Sequence, residues 1–208
     1  TETIPFRVEW VYPWKRDTDF VSANKTKLGI WQGYPEIEIL EEVDLAANVT
    51  RIRDIAVDAD NDLIYVAGDT GLVSVDVSTP GSPVVSQLSS DVCRCVGVSF
   101  GGAVFAILLG GSGGDRLASS LQPDWDTPYV FSGTIDYSKC VFLRPAANAA
   151  HEMAILEHRY DLYLDTFTLD APGNGNYFQK IHFFSVSGGF DSTVDCLCRH
   201  TGTVNWSK

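Results

Sequence analysis

Residues 52–88 read IRDIAVDADNDLIYVAGDTGLVSVDVSTPGSPVVSQL, and this stretch decides the predicted fold. It contains four short runs rich in β-branched residues, at 52–57, 63–67, 72–77 and 84–88. Acidic, glycine or Ser/Pro turn residues separate the runs, and such residues favour tight turns. Short apolar runs bounded by turn residues predict strands. We therefore expect one antiparallel sheet of four strands joined in chain order.

Four strands within about 40 residues are typical of one blade of a β-propeller. The segment 71–88, GLVSVDVSTPGSPVVSQL, is similar to the repeat of the LVIVD family of propellers. That repeat has a glycine, an alternating apolar strand ending in Asp, a Ser/Pro turn and a further strand. Residues 62–69, DLIYVAGD, resemble the middle strand of the family repeat. The resemblance covers residues 52–88 and implies a propeller blade, but it implies no catalytic residue.

Further apolar runs follow the first at similar intervals. Candidates for the innermost strand of a blade are centred on Ile55, Val96, Val141 and Val194, with steps of 41, 45 and 53 residues. Only residues 146–158 have any helical character. We therefore predict an all-β, propeller-like array of about four short antiparallel blades, either complete or part of a longer array. A β-sandwich is the alternative, because alternating strands with good turns suit it as well.

The first 35 residues differ in composition from the rest of the chain. They contain three of the five tryptophans, Trp10, Trp14 and Trp31, and a basic pair, Lys15 and Arg16. We predict an aromatic and basic arm over residues 1–35 and a propeller-like domain over residues 36–208. Aromatic and basic side chains together are typical of interface anchors, so these five residues are the predicted partner-binding residues. The alternative is that the aromatic side chains pack into the core of the adjoining domain.

The chain has 208 residues and a formal net charge of −12. This charge argues against nucleic acid as a partner, because a basic surface is needed to neutralise phosphates. It argues equally against an anionic membrane surface. No run of about 18 apolar residues is present, so the sequence predicts no membrane-spanning helix.

One metal site is a candidate in the sequence. Asp58, Asp60 and Asp62 alternate within a tight turn, and Ca²⁺ prefers such oxygen ligands. The alternative is a hairpin turn made of residues that tolerate left-handed backbone geometry. No other cofactor is predicted.

The cysteines form two Cys-x-Cys pairs, Cys93 with Cys95 and Cys196 with Cys198. Residues i and i+2 of a regular strand share a face, so each pair is expected to point one way. The two pairs could supply four zinc ligands, or they could be buried strand residues that pack as small apolar groups.

The sequence contains no complete catalytic motif: the P-loop, the zinc-protease helix and the nucleophile elbow are all missing. We therefore predict a non-enzymatic structural or interaction module of a larger assembly, with protein subunits, identical ones included, as partners. The specific hypothesis is a tail or surface protein of a bacteriophage or other virion. The alternative is a secreted or surface propeller that binds a glycan, or hydrolyses a small substrate, at its central channel.

Overall fold

The structure is a computed structural model in two compact units, Thr1–Val130 and Phe131–Lys208. In the first unit it describes residues 8–15, 18–99, 102–111 and 113–128. In the second it describes the backbone of four strands, Cys140–Leu143, Met153–Arg159, Tyr177–Ser185 and Gly189–Cys198. All the regular elements in these residues are strands, so the prediction of an all-β chain is confirmed for the described part.

The first unit contains three antiparallel sheets whose strands are neighbours in chain order. The first sheet consists of β1 (Trp10–Pro13), β2 (Phe20–Ala23), β3 (Lys27–Gln32) and β4 (Glu38–Asp44). The second consists of β5 (Ile52–Asp58), β6 (Leu63–Gly68), β7 (Gly71–Asp76) and β8 (Val84–Ser89). The third consists of β9 (Val92–Val98), β10 (Val104–Leu109) and β11 (Arg116–Ser119). The four runs of residues 52–88 therefore form one sheet, as the sequence predicts.

The boundary predicted at residue 35 falls in the connection between β3 and β4. Strands β1, β2 and β3 pair with one another, and β3 pairs with β4. Most of the segment predicted as an arm thus belongs to the first sheet, and its strands β2 and β3 bury consecutive residues and therefore both of their faces.

The second sheet carries apolar side chains on both of its faces. Residues that alternate along its strands face two different cores. Ile64 and Val66 face a core shared with Val21, Leu28 and other residues of the first sheet. Tyr65 and Ala67, the residues that alternate with them in β6, face a second core. The third sheet supplies the other side of that core, with Cys93, Val96, Val104, Ala106, Leu108 and Ala118. The second sheet is therefore packed between the other two.

The first strand of the second sheet and the first strand of the third sheet each contain a β-bulge at an arginine. Ile52 pairs with Gly68 while Asp54 pairs with the adjacent Ala67, which leaves Arg53 as the extra residue. In the third sheet, Arg94 is the extra residue in the same way, because Cys93 and Cys95 pair with consecutive residues of β10. Each bulge arginine lies two residues before the predicted blade centre, Ile55 or Val96.

The bulge at Arg94 overturns the expectation that Cys93 and Cys95 share a face. Consecutive residues of β10 point to opposite faces of the sheet, so their cysteine partners do as well. Cys93 accordingly lies in the core between the second and third sheets, whereas Cys95 is buried on the other side. An extra residue in a strand reverses the alternation beyond it, and a Cys-x-Cys spacing does not reveal this.

Asp54 joins the first strands of all three sheets. Its Oδ1 accepts a hydrogen bond from the Tyr12 hydroxyl of β1 at 3.3 Å, and its Oδ2 accepts one from the Val96 N–H of β9 at 3.1 Å. Asp54 lies 42 residues after Tyr12, and Val96 lies 42 residues after Asp54.

Arg116 is the largest fully buried side chain among the described residues. Its Nη2 donates to the carboxylates of Asp91 at 2.8 Å and Asp126 at 2.7 Å. The remaining nitrogens donate to the carbonyls of Trp125, Gly114 and Gly110. Both of these glycines have positive φ angles, of 66° and 75°, which lets their loop curl around the guanidinium.

In the second unit, the four strands β12 (Cys140–Leu143), β13 (Met153–Arg159), β14 (Tyr177–Ser185) and β15 (Gly189–Cys198) pair in chain order. Strand β13 corrects the helical character predicted for part of residues 146–158. Strand β15 pairs with β14 in the same sheet, so it is not the first strand of a further sheet. Only three residues separate β14 from β15, and such short connections favour a hairpin. Among the described residues, no helix is both long and apolar enough to cross a membrane.

Candidate functional site

A groove of about 410 Å³ opens between the first and second sheets, and we call it the inter-sheet groove. Its volume is within the range of small-ligand sites, about 300–1,000 Å³. The first sheet and the turn after β1 supply Trp14, Lys15, Asp19, Ile30, Gln32, Leu40 and Glu41. The second sheet and its turns supply Asp62, Val77, Ser78, Thr79, Pro80 and Pro83. The groove thus combines an aromatic ring, aliphatic side chains and charged groups.

An ammonium group lies between an aromatic ring and a carboxylate in this groove. Lys15 Nζ is 5.9 Å from the centroid of the Trp14 ring and forms an ion pair with Asp62. The side chains of Lys15 and Asp62 are 42% and 28% exposed, so water reaches both members of the pair. Exposed ion pairs contribute about 1 kcal/mol or less, and the Lys15 side chain can therefore leave this position at little cost.

Local backbone geometry explains the position of Asp62. The residue has a φ of 58°, in the left-handed region that Asp and Asn tolerate better than most residues. Its carbonyl accepts a hydrogen bond from the Val77 N–H at 3.0 Å, which holds the turn against the end of β7. The turn therefore presents the Asp62 carboxylate to the groove and to Lys15.

Two further carboxylates line the inter-sheet groove. Glu41 of β4 accepts a hydrogen bond from the Gly81 N–H at 2.9 Å, which links the first sheet to the connection after β7. Asp19 is buried and accepts a bond from the Gly33 N–H at 3.3 Å. Among the described lining residues, the carboxylates of Asp62 and Glu41 outnumber the ammonium group of Lys15.

Three large apolar side chains are exposed in or shortly before β4, the edge strand of the first sheet, and we call them the apolar strip. Tyr34, Ile37 and Leu40 are 70%, 62% and 52% exposed. Leu40 also lines the groove, and it is the extra residue where the pairing of β3 and β4 shifts register. A bulge turns a side chain away from its regular direction, which explains why an apolar residue of β4 is exposed.

The residues predicted to bind a partner have different environments. Trp14 and Lys15 line the groove, and Trp10 packs partly buried against the core of the first two sheets. Trp31 is only 2% exposed; it stacks on Phe20 and donates to Ser22 Oγ at 2.7 Å, so it is a core residue with no surface for a partner. Arg16 lies outside the described residues.

The three aspartates of the predicted calcium turn have separate surroundings. Asp58 is buried and accepts a hydrogen bond from Asn61 Nδ2 at 2.9 Å, whereas Asp62 pairs with Lys15. Asp58 and Asp60 line a second cavity, of about 350 Å³, together with Ser99, which follows β9. Within the described ranges, no three or more His, Cys, Asp or Glu side chains are grouped closely enough to hold a metal ion.

Cys93 does not have the character of a reactive thiol. Burial raises the pKa of the Cys93 thiol well above its ordinary value, and the nearby Cys95 and Asp54 raise it further. Cys93 therefore remains protonated at neutral pH, although a metal ligand must be a thiolate. The side chains of Cys196 and Cys198 lie outside the described residues.

Sequence reasoning missed Glu41 and Leu40 as groove residues. The signal for Leu40 is an unbroken E-I-E-I-L-E-E run, in which strict alternation fails at residues 39 and 40. No family model matches this chain, and the search of curated proteins finds no match either.

Proposed function

We propose that this chain is a non-enzymatic interaction module that binds a protein partner through the inter-sheet groove and the apolar strip beside it. The observation that carries the proposal is the position of Tyr34, Ile37 and Leu40. These three large apolar side chains are exposed within seven residues of sequence, and one of them, Leu40, lines the groove. Apolar patches rimmed by polar groups are typical of interaction sites.

The groove has the mixed composition of an interface rather than that of an active site. Its Trp14 ring and Leu40 are surfaces for an anchor residue, and its carboxylates supply polarity at the rim. Each of the two best-placed carboxylates already has a partner within the chain, the Gly81 N–H for Glu41 and the exposed Lys15 ammonium for Asp62. Membership of a virion tail or surface stays a prediction from the sequence.

For the fold, we propose that the three sheets of the first unit are consecutive blades of a propeller-like array. In a propeller, four-stranded meanders are arranged around an axis and pack face to face. Three observations support this: sheets in chain order, the shared arginine bulge, and the 42-residue steps from Tyr12 to Asp54 to Val96. The proposal also agrees with the LVIVD-like pattern of residues 52–88. A crystal structure in which the first strands do not surround a common axis would overturn it.

Site-specific photo-crosslinking in the source cells tests the interface. We expect a photoreactive residue at Leu40 or Ile37 to link the chain to one and the same partner, identified by mass spectrometry and recovered in near-stoichiometric yield. The control position is Val92 of the third sheet, which is also apolar and 41% exposed. Equal yields at Val92, or no defined partner at Leu40 and Ile37, would contradict the proposed interface.

A further inference from the structure

We infer that the inter-sheet groove recognises a lysine or arginine side chain of its partner, between the Trp14 ring and the carboxylates of Asp62 and Glu41. The inference rests on the proposed function and specifies the chemistry of the partner. It starts from the Lys15 ammonium, which occupies this kind of position in the structure. Lys15 thus acts as an internal occupant that a partner's cation replaces.

The local chemistry suits an organic cation. An ammonium or guanidinium group over an aromatic face is attracted by the negative face of the ring, at exposed sites as well as buried ones. A carboxylate on the other side adds a charge-assisted hydrogen bond, and arginine can form two such bonds at once. Asp62 already forms its ion pair here, while Glu41 is fixed by the Gly81 N–H. The side chains that would hold the cation are therefore already in place.

Charge decides between a basic partner and a second copy of this chain. The carboxylates of Asp62 and Glu41 outnumber the Lys15 ammonium among the described groove residues, and the whole chain carries a net charge of −12. Two such chains repel one another, whereas a basic segment is attracted to the groove. The size of the groove, about 410 Å³, leaves room for a long basic side chain beside Lys15 or in its place.

Calorimetric titration of the full chain with tetralysine tests the inference. We expect Asp62→Asn to weaken binding by about fivefold, the value of one exposed charged contact. The matched control is Glu42→Gln, which removes the same charge from β4 at the carboxylate that pairs with Lys27. Equal losses for the two variants would show general attraction to an acidic protein and would overturn the inference.

The internal occupant provides a test of opposite sign. We expect Lys15→Ala to tighten tetralysine binding by about fivefold, because the competing ammonium is gone. Lys25→Ala is its control, since Lys25 is exposed in the turn between β2 and β3 and removes the same charge elsewhere. If Lys15→Ala binds no more tightly than Lys25→Ala, Lys15 does not occupy the site.

A third variant examines the aromatic face. Trp14→Leu keeps an apolar side chain at this position, and we expect it to weaken tetralysine binding by about two- to fivefold. Unchanged affinity would contradict the role of the ring.

The two proposals, the protein interface and its recognition of a basic side chain, can fail separately. Crosslinking of Leu40 to one defined partner, together with unspecific tetralysine binding, would support the proposed interface and contradict only the proposed recognition of a basic side chain.

Discussion

Arg116 and Lys15 are both held by carboxylates, yet their surroundings give them different roles. The Arg116 side chain is 1% exposed and bonds two aspartates and three carbonyls. Lys15 is 42% exposed, and its ion pair with Asp62 is open to the inter-sheet groove. The comparison shows that burial and hydrogen-bond saturation, rather than the presence of an ion pair, decide whether a cation is structural or exchangeable.

The physical reason is desolvation. A guanidinium buried in the protein has lost its hydration, so each nitrogen needs a protein acceptor, and removal of the cation leaves the Asp91 carboxylate, which is only 17% exposed, uncompensated. An ammonium in contact with water exchanges one partner for another with little change in free energy. The sites of Arg116 and Lys15 can therefore be told apart by experiment.

Replacement of Arg116 should have the largest effect on stability. We expect Arg116→Ala to lower the free energy of unfolding by about 3–5 kcal/mol, because the largely buried Asp91 carboxylate loses its partner, whereas the 69% exposed Asp126 carboxylate is solvated by water. Urea denaturation followed by circular dichroism measures this change. Arg53→Ala, which breaks the exposed pair with Asp69, should cost about 1 kcal/mol or less. Similar losses in the two variants would break the distinction between buried and exposed pairs.

Asp54 should give the next largest effect, because it joins three sheets by hydrogen bonds. We expect Asp54→Ala to cost about 1–3 kcal/mol in the same denaturation experiment, since the Val96 N–H and Tyr12 hydroxyl lose their acceptor. Asp44→Ala is the control, because the exposed Asp44 carboxylate accepts only a local bond from the Ala46 N–H. A smaller loss for Asp54→Ala than for Asp44→Ala would contradict the linking role.

The buried thiol of Cys93, in the core between the second and third sheets, should make the free energy of unfolding depend on pH. Because the pKa of Cys93 is raised in the folded chain, the folded state holds the thiol proton more tightly than the unfolded state. Stability should be complete below the unfolded pKa, about 8.5, and should fall by at most about 1.4 kcal/mol per pH unit above it. Denaturation from pH 7.5 to 9.5 measures the slope, and Cys93→Ala should reduce it. An unchanged slope in that variant would exclude Cys93 as the source.

The smallest stability effect belongs to the groove. We expect Lys15→Ala and Asp62→Asn each to change the free energy of unfolding by less than about 1 kcal/mol. The same variants should alter tetralysine binding, so stability and binding would separate. A loss of several kcal/mol in either variant would show that the Lys15–Asp62 pair is structural, as Arg116 is, and would contradict the distinction between the two sites.

Local patterns predict the strands well because the information is local. The four runs of residues 52–88 became β5 to β8, since apolar alternation and turn residues both lie within each hairpin. The environments of the tryptophans could not be predicted in this way. Trp14 lines the groove and Trp31 lies in the core, although both are aromatic residues of the same basic segment.

The rest of the site depends on contacts distant in sequence. Glu41 meets Gly81 across 40 residues, and Lys15 meets Asp62 across a similar distance. The bulges at Arg53 and Arg94 depend on pairing with a neighbouring strand, so no single-strand pattern shows them. For this reason the prediction that Cys93 and Cys95 share a face is wrong.

The most direct test of an exchangeable cation in the groove is a nitrogen-15 NMR titration with tetralysine. Our account predicts shifts of the Trp14 indole N–H and of the backbone N–H groups around Asp62. The Trp31 indole, bonded to Ser22 in the core, and the Arg116 Nε–H should stay unchanged. A Trp14 signal that does not move while tetralysine binds would contradict the account, as would shifts of equal size at Trp14 and Trp31.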